Sequence, residues 1–201
     1  MISAAFSRLI PAEILSVPTY GALNLHPSVL PAGRGPNPLR LVYEGAETIG
    51  ATLHRTDGEF DTGAVLSQRE RPLLESLSGP SVLSSWSEMF AEVIEEGTAR
   101  ALAGEPGVPQ DSARASYMPS FTDKEPMLDF TESAAAISRK VAALNVLIPR
   151  ALAHLPGCEG TVLHVETLPS TGRSAGTVVA THPDACTVQA ADLALRVTVE
   201  G

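Results

Sequence analysis

The sequence is poor in several things that would have narrowed its function. It has only two cysteines, Cys158 and Cys186. They stand alone, so they suit neither a disulfide framework nor a zinc site. They are expected to be reduced, in a cytoplasmic protein without a metal. Aromatic residues make up 4% of the chain, with a single tryptophan, so the core must come mainly from Ala, Leu and Val. No apolar run reaches the ~18 residues that a bilayer demands. The first residues lack a secretory layout, because Arg8 and Pro11 interrupt them and no cleavage site follows. No basic block is present either. The net charge is −9, with 8 basic against 14 acidic residues over 1–115 and 6 against 9 over 116–201. Tight nucleic-acid binding needs clustered Lys and Arg to displace counterions, and this balance counts against a strong RNA grip. There is no internal repeat or low-complexity tract.

What is present is ordinary globular patterning over 201 residues, room for one domain or two small ones. Met1 to Phe6 (MISAAF) reads as a short buried strand. Pro11 to Leu15 reads as a brief helix with proline in its first turn, and Ala22 to Leu25 as a second strand. Four prolines and two glycines make 27–38 a loop. A helix is expected from Leu39 to Tyr43, ending at Gly45. Thr48 to His54 and Ala64 to Gln68 alternate like strands around a turn at Asp57-Gly58. The clearest helix runs from Ser81, a candidate N-cap, to Ala103, with Gly104 as its stop. Val82, Trp86, Met89, Val93 and Ile94 form its apolar face. Residues 104–120 lack periodicity and read as a linker. A helix over Thr131 to Leu144 follows, with Ile137, Val141 and Leu144 inward. Strands are expected at Thr161–Val165, Gly176–Ala180, Thr187–Ala190 and Leu193–Val199, a pattern that suits a small β-barrel.

Three polar residues stand out. Asn24 and His26 fall where a predicted strand meets the Pro-rich loop, the edge at which ligands bind in open α/β sheets. Asp61 comes 35 residues after His26. If the three converge, they suit acyl transfer to an amine. The Asn amide can donate to a developing oxyanion, the imidazole can carry the amine's proton, and the carboxylate can orient the imidazole and favour its charged form. Each also has a plain structural reading. Asn-x-His alone is a weak signal, and Asp before Thr-Gly is ordinarily a turn residue. Spacing alone leaves both readings open.

The wider pattern resembles the folate-dependent formyltransferase family. Its signature runs Asn-x-His-x-Ser-x-Leu-Pro, then Arg-Gly and a proline, then Asp-x-Gly. This sequence supplies Asn24, His26, Ser28, Leu30, Pro31, Arg34, Gly35, Pro38, Asp61 and Gly63 in that order. The resemblance implies an enzyme that moves a formyl group from 10-formyltetrahydrofolate to a primary amine, with Asn24, His26 and Asp61 catalytic. AAFSRLIPAEIL is similar to the family segment whose Arg-Ile-Leu-like triplet grips the folate. Arg8, Leu9 and Ile10 would therefore bind the donor, with Thr56, Gly58 and Glu59 forming the other wall of the pocket. Read without the family, Leu9 and Ile10 are core residues and Arg8 a solvated charge.

The segment SYMPSFTDKEPMLDF and the helix after it are similar to the linker and terminal domain of the methionyl-tRNA branch. The implied fold is α/β: a partial Rossmann-like formyltransferase domain over 1–104, a linker over 105–120, and an OB-like β-barrel over 121–201. The family places three strands and two helices ahead of MISAAF, so the resemblance implies an N-terminally truncated member. Its exposed sheet would invite self-association or a partner chain, and a non-catalytic remnant is an alternative. Initiator methionyl-tRNA is the expected acceptor. A sugar-nucleotide or natural-product amine is the alternative, because the terminal domain is acidic.

Overall fold

The computed structural model describes every residue except Ala5, Ser7, Glu75 and Gly201. Two compact units emerge, one from Met1–Leu41, Glu47–Leu73 and Ser84–Ser120, the other from Val42–Ala46, Leu74–Leu83 and Phe121–Gly201.

The first unit is built on a four-stranded mixed sheet in sequence order, β1 (Ile2–Ala4), β2 (Leu23–His26), β3 (Thr48–Arg55) and β4 (Val65–Pro72). β1 pairs parallel to β2, and the other pairings are antiparallel. β3 is buried over six consecutive residues, Ile49 to His54, as expected of a strand covered on both faces. The expectation for MISAAF needs correcting. β1 is a three-residue edge strand with Met1, Ile2 and Phe6 exposed, because it has a neighbour on one side only. Ala5, within that expected strand, lies outside the described residues. α1 (Ala12–Leu15) follows Pro11, and α2 (Leu39–Glu44) stops at Gly45, whose φ of 109° suits glycine.

The long helix α3 (Gly79–Leu102) supplies Trp86, Met89 and Val93 to the core beside Leu53 and Leu66. The indole N–H of Trp86 donates to the Gly50 carbonyl at 3.1 Å. At Gly97, an added Cβ would stand 2.4 Å from Ser67 Oγ and 2.7 Å from Leu53 Cδ2, so the helix crosses the sheet where only glycine fits. On the solvent side Arg69 meets Glu92 and Glu96, at 3.0 and 2.7 Å, while Arg71 meets Glu88 at 2.6 Å and also Glu92. The expected cap at Ser81 shifts. The helix starts two residues earlier, and Ser78 and Ser81 exchange hydrogen bonds, each hydroxyl accepting the other's backbone N–H.

The loop after β2 is pinned to the sheet. Thr52 Oγ1 donates to the Ser28 carbonyl at 2.6 Å, and Gln68 Nε2 donates to the Leu30 carbonyl at 2.9 Å. Leu30–Pro31 is a cis peptide. Residues 105–120 lie along this unit: Val108 pairs with Val65, and Ser116 and Met118 flank Arg34.

In the second unit, α4 (Ala134–Leu144) is capped by the Ser133 hydroxyl and by the Asp192 carboxylate. It buries Ile137, Val141 and Leu144 against an antiparallel sheet ordered β5 (Leu152–Leu155), β6 (Cys158–Leu168), β9 (Ala194–Glu200), β8 (Ala185–Gln189) and β7 (Val178–Thr181). β5 escapes the sequence reading because its four residues carry little pattern. The Pro156-Gly157 turn after it, with Gly157 at φ 78°, is the signal that marks a hairpin. The two cysteines also need correcting. Cys158 and Cys186 are buried and bridged as a disulfide, with Cα atoms 5.8 Å apart across the sheet. Their separation of 28 residues gives no hint of this.

Asn145 ties this unit together. Its side-chain amide donates to the Val162 carbonyl at 2.7 Å and accepts from the N–H groups of Arg150 and Ala151 at 2.9 and 3.1 Å. Asn145→Ala is therefore expected to cost about 2–4 kcal/mol, since each buried group left unpaired costs ~1–3 kcal/mol. Urea unfolding measures this directly, and an unchanged midpoint would show that water replaces the amide.

Candidate active site

Strand register builds the site. Ser3 faces Asn24 across β1–β2, and Asn24 faces His54 across β2–β3, so three side chains from three strands form one row. His26, two residues beyond Asn24, shares its face. A bulge between Leu53 and His54 in the β3–β4 pairing falls at the row's end, a common device for re-aiming side chains near sites. Asp61 enters from the turn after β3 with φ 58°, a left-handed backbone rarely taken by non-glycine residues.

These groups converge on one carboxylate. Asp61 Oδ1 accepts from Asn24 Nδ2 at 3.2 Å, and lies 3.4 Å from His26 Nδ1 and 3.6 Å from His54 Nε2. Asp61 Oδ2 accepts from the Gly35 N–H at 2.9 Å. The Asn24 amide is fully engaged, since Nδ2 also meets His54 Nε2 at 3.2 Å and Oδ1 accepts from Ser3 Oγ at 2.9 Å.

The far nitrogens of the two imidazoles fix their tautomers. His26 Nε2 lies 2.8 Å from the Gly33 carbonyl, and His54 Nδ1 lies 2.7 Å from the Arg55 carbonyl. Carbonyls only accept, so these nitrogens carry the protons. In the neutral rings a lone pair on His26 Nδ1 and another on His54 Nε2 then face Asp61. The cluster is thus arranged to receive a proton, shared between imidazole and carboxylate.

Burial holds the His26 pKa below its ordinary value, although the Asp61 carboxylate and the Gly33 carbonyl pull it upward. Burial alone would raise Asp61, but the neighbouring His54 ring, the charge of His26 and the Gly35 N–H outweigh it, and its pKa lies below the usual carboxylate range. Both groups therefore bind protons more readily in the unfolded chain. Stability contributed by His26 is complete above its unfolded value, about 6.5, and is lost as pH falls through the lower folded value. Asp61 repeats this below about 3.9. Stepwise loss of stability on acidification is expected in thermal unfolding from pH 8 to 3. A His26→Gln variant should lack the step nearest neutrality, and an identical profile in the variant would contradict the assignment.

A cleft opens beside the cluster. Asn24, Asp61, Arg8, Leu9, Ile10, Thr56 and Glu59 line it, as do Ser3 and His54. Two of the expected residues stand apart from it. His26 lies behind the cleft wall with 5% of its surface exposed. Gly58 sits in the exposed turn, where an added Cβ would meet nothing within 4 Å. The Thr56 hydroxyl is buried in the wall with no hydrogen-bond partner. His54 was missed by sequence reasoning. Its only signal is an ionisable residue at the end of the apolar stretch Ile49–Leu53, and its importance comes from cross-strand register. Among the described residues no group of His, Cys, Asp or Glu could hold a metal ion, and no helix is long and apolar enough to cross a membrane.

Solved proteins share this architecture. HypX from Aquifex aeolicus, crystallised with tetrahydrofolic acid, matches with a TM-score of 0.78 at 23% identity, over 98% of this chain and 34% of its own. WlaRD, a sugar 3N-formyl transferase, matches with a TM-score of 0.73 at 15% identity, over 98% of this chain and 71% of its own. These likenesses define the class: an α/β formyltransferase fold with a mixed sheet and an antiparallel sheet. Family models for formyl transferase match residues 1–93, and for the formyl transferase C-terminal domain residues 121–199. The chain belongs to the formyl transferase family. Curated relatives include the methionyl-tRNA formyltransferases of Janthinobacterium sp., 32% identical over 98% of this chain and 63% of the relative, and of Carboxydothermus hydrogenoformans, 33% identical over 72% and 48%. The chain thus spans about half to two thirds of the length of these relatives.

Proposed function

We propose that this protein transfers a formyl group from 10-formyltetrahydrofolate to a primary amine, with initiator methionyl-tRNA as acceptor. The observation that carries the reading is the Asn24–His26–His54–Asp61 cluster opening on a cleft whose far wall is Arg8, Leu9 and Ile10. The cleft suits a folate. It offers the apolar side chains of Leu9 and Ile10 for a flat ring. The donor supplies an activated formyl carbon on nitrogen. Asn24 gives up its contact with His54 Nε2 and turns that N–H toward the oxyanion that forms when the amine attacks, keeping its other N–H on Asp61. The cluster takes the proton released by the attacking amine, into the space between imidazole and Asp61, and returns it to the departing folate nitrogen. One C–N bond forms, another breaks, and one proton crosses between the nitrogens.

In this reading Asn24, His26 and Asp61 are the catalytic residues, with His54 beside them, and Arg8, Leu9, Ile10, Thr56 and Glu59 hold the donor, while Gly58 serves only the turn that carries Glu59. The mixed sheet is part of a Rossmann-like domain, the antiparallel sheet is an OB-like barrel, and the protein works in the cytoplasm. The acidic balance over 116–201 favours the second reading, an amine on a sugar nucleotide. One assay separates them: 10-formyltetrahydrofolate with methionyl-tRNA or with an amino-sugar nucleotide, following formyl incorporation. Formylated tRNA, with binding that weakens as salt rises, is expected. Formylation of the sugar alone moves the acceptor to the second class. Failure to formylate either acceptor or bind folate leaves a non-catalytic remnant.

The first unit also exposes Met1, Ile2, Phe6, Ile14, Val17 and Tyr20 within its first twenty residues, and β1 is the outermost of the described strands. Exposed apolar side chains and an open strand edge each favour association. The 201-residue chain is expected to self-associate, and light scattering across a concentration series tests this. A monomer at every concentration would show that the patch stays solvated.

A further inference from the structure

Asp61 is an oddity in the cluster. A non-glycine residue at φ 58° relaxes toward ordinary backbone angles unless its surroundings over-determine it. The structure shows what does so, and it lies far away in sequence. Gln110, in the segment without periodicity, donates from Nε2 to the carbonyls of Asp61 and Gly63, each at 2.8 Å. Its Oε1 accepts from Arg34 Nε at 3.2 Å and Arg34 Nη2 at 2.8 Å. All four hydrogen-bonding positions of the amide are filled. Turning it over would set oxygen against two carbonyls and N–H groups against a guanidinium, so its orientation is unique.

We propose that Gln110 is a positioning residue for the Asp61 carboxylate. Its reach covers both sides of that group. On the backbone side it clamps the Asp61–Gly63 turn. On the other side it holds Arg34, whose neighbour Gly35 donates its N–H to Asp61 Oδ2. The backbone of Arg34 is fixed in turn by Ser116 and Met118, and the Ser116 hydroxyl accepts from Gly33 N–H at 3.0 Å, the residue whose carbonyl holds His26. Residues 110–118 therefore brace Asp61 and His26 together. Gln110 does not line the cleft, so it acts through Asp61. The charged or titratable groups of the braced cluster are Asp61, His26, His54 and Arg34. The inference rests on the formyl-transfer reading for its kinetic consequence only.

Two variants of the full chain test it. Gln110→Met keeps length and neutrality and removes every bond. Gln110→Glu keeps an acceptor for Arg34 and removes the two N–H donors. Formyl transfer is expected to fall about 10- to 100-fold in kcat, the scale of a reacting group misplaced by about 1 Å, with KM for the folate unchanged. Nitrogen NMR of the His26 ring reads positioning without catalysis. As Asp61 withdraws, the His26 midpoint should drop in Gln110→Met, where no charge is added. An unaltered midpoint with unaltered kcat overturns the proposal. If wild type transfers no formyl group, the functional reading fails and the midpoint alone judges Gln110. If Gln110→Met does not fold, Gln110→Glu decides by kcat, or by displacement of the His26 ring signals where there is no turnover.

Discussion

Asp61→Asn is expected to lower formyl transfer by at least ~10²-fold, the usual scale for losing general acid–base help. The hydrogen-bond pattern explains why an isosteric change should be so damaging. The Gly35 N–H needs an acceptor, so the new amide would present its oxygen there. Its NH₂ would then point at Asn24 Nδ2, another donor, and at the lone pairs of His26 Nδ1 and His54 Nε2. Those lone pairs are where the amine's proton must go. The variant would fill them and remove the charge that stabilises the protonated ring. His26→Ala should fall by a similar factor, and His54→Ala by at least ~10-fold, because His54 is the imidazole that meets the cleft. Folate binding, followed by fluorescence, should survive in all three. Near-normal turnover in both Asp61→Asn and His26→Ala would sink the catalytic assignment.

Gly63→Ala should produce the largest structural effect of any single methyl added to the first unit. The new Cβ would lie 1.9 Å from the Arg55 carbonyl oxygen and 2.8 Å from its carbon. Both are backbone atoms at the end of β3, and no flexible side chain is available to yield. The turn must move, straining the Arg55–Ala64 backbone bond and the Gln110 clamp on Gly63. Overpacking of this kind costs about 3 kcal/mol, and Tm should drop by roughly 6–12 °C for a chain of this size. Turnover should fall with it, because Asp61 is two residues away. Gly58→Ala supplies the control, since its added methyl meets nothing within 4 Å. Equal melting temperatures for Gly58→Ala and Gly63→Ala would show that the turn has slack which the packing does not reveal.

The sequence shows most of the elements and only part of the site. Long periodic stretches such as α3 and α4 are readable because side chains on one face repeat at helical spacing. Asn24, His26 and Asp61 could be singled out because polar residues at a strand end and in a tight turn are conspicuous. His54 and Gln110 could not, for different reasons. His54 matters through its partner across β2–β3, and register belongs to two strands at once. Gln110 sits in a stretch with no period, where function depends on which carbonyls lie within reach after folding. The exposure of β1 and the Cys158–Cys186 bridge are illegible in the sequence for the same reason, since both depend on what lies alongside.

The ladder of ion pairs between β4 and α3 has a meaning for how the first unit forms. Glu88, Glu92 and Glu96 recur every fourth residue, so on an isolated helix each repels the next. Arg69 and Arg71, two residues apart on one face of the strand, meet all three. Helix and hairpin are thus mutual conditions. Until the strand arrives, α3 carries an acidic stripe that its own Arg100 offsets only at Glu96. Until the helix arrives, two arginines crowd one face of β4. The charge pattern therefore favours the docked helix over the free one, by the modest amount that partly exposed ion pairs supply.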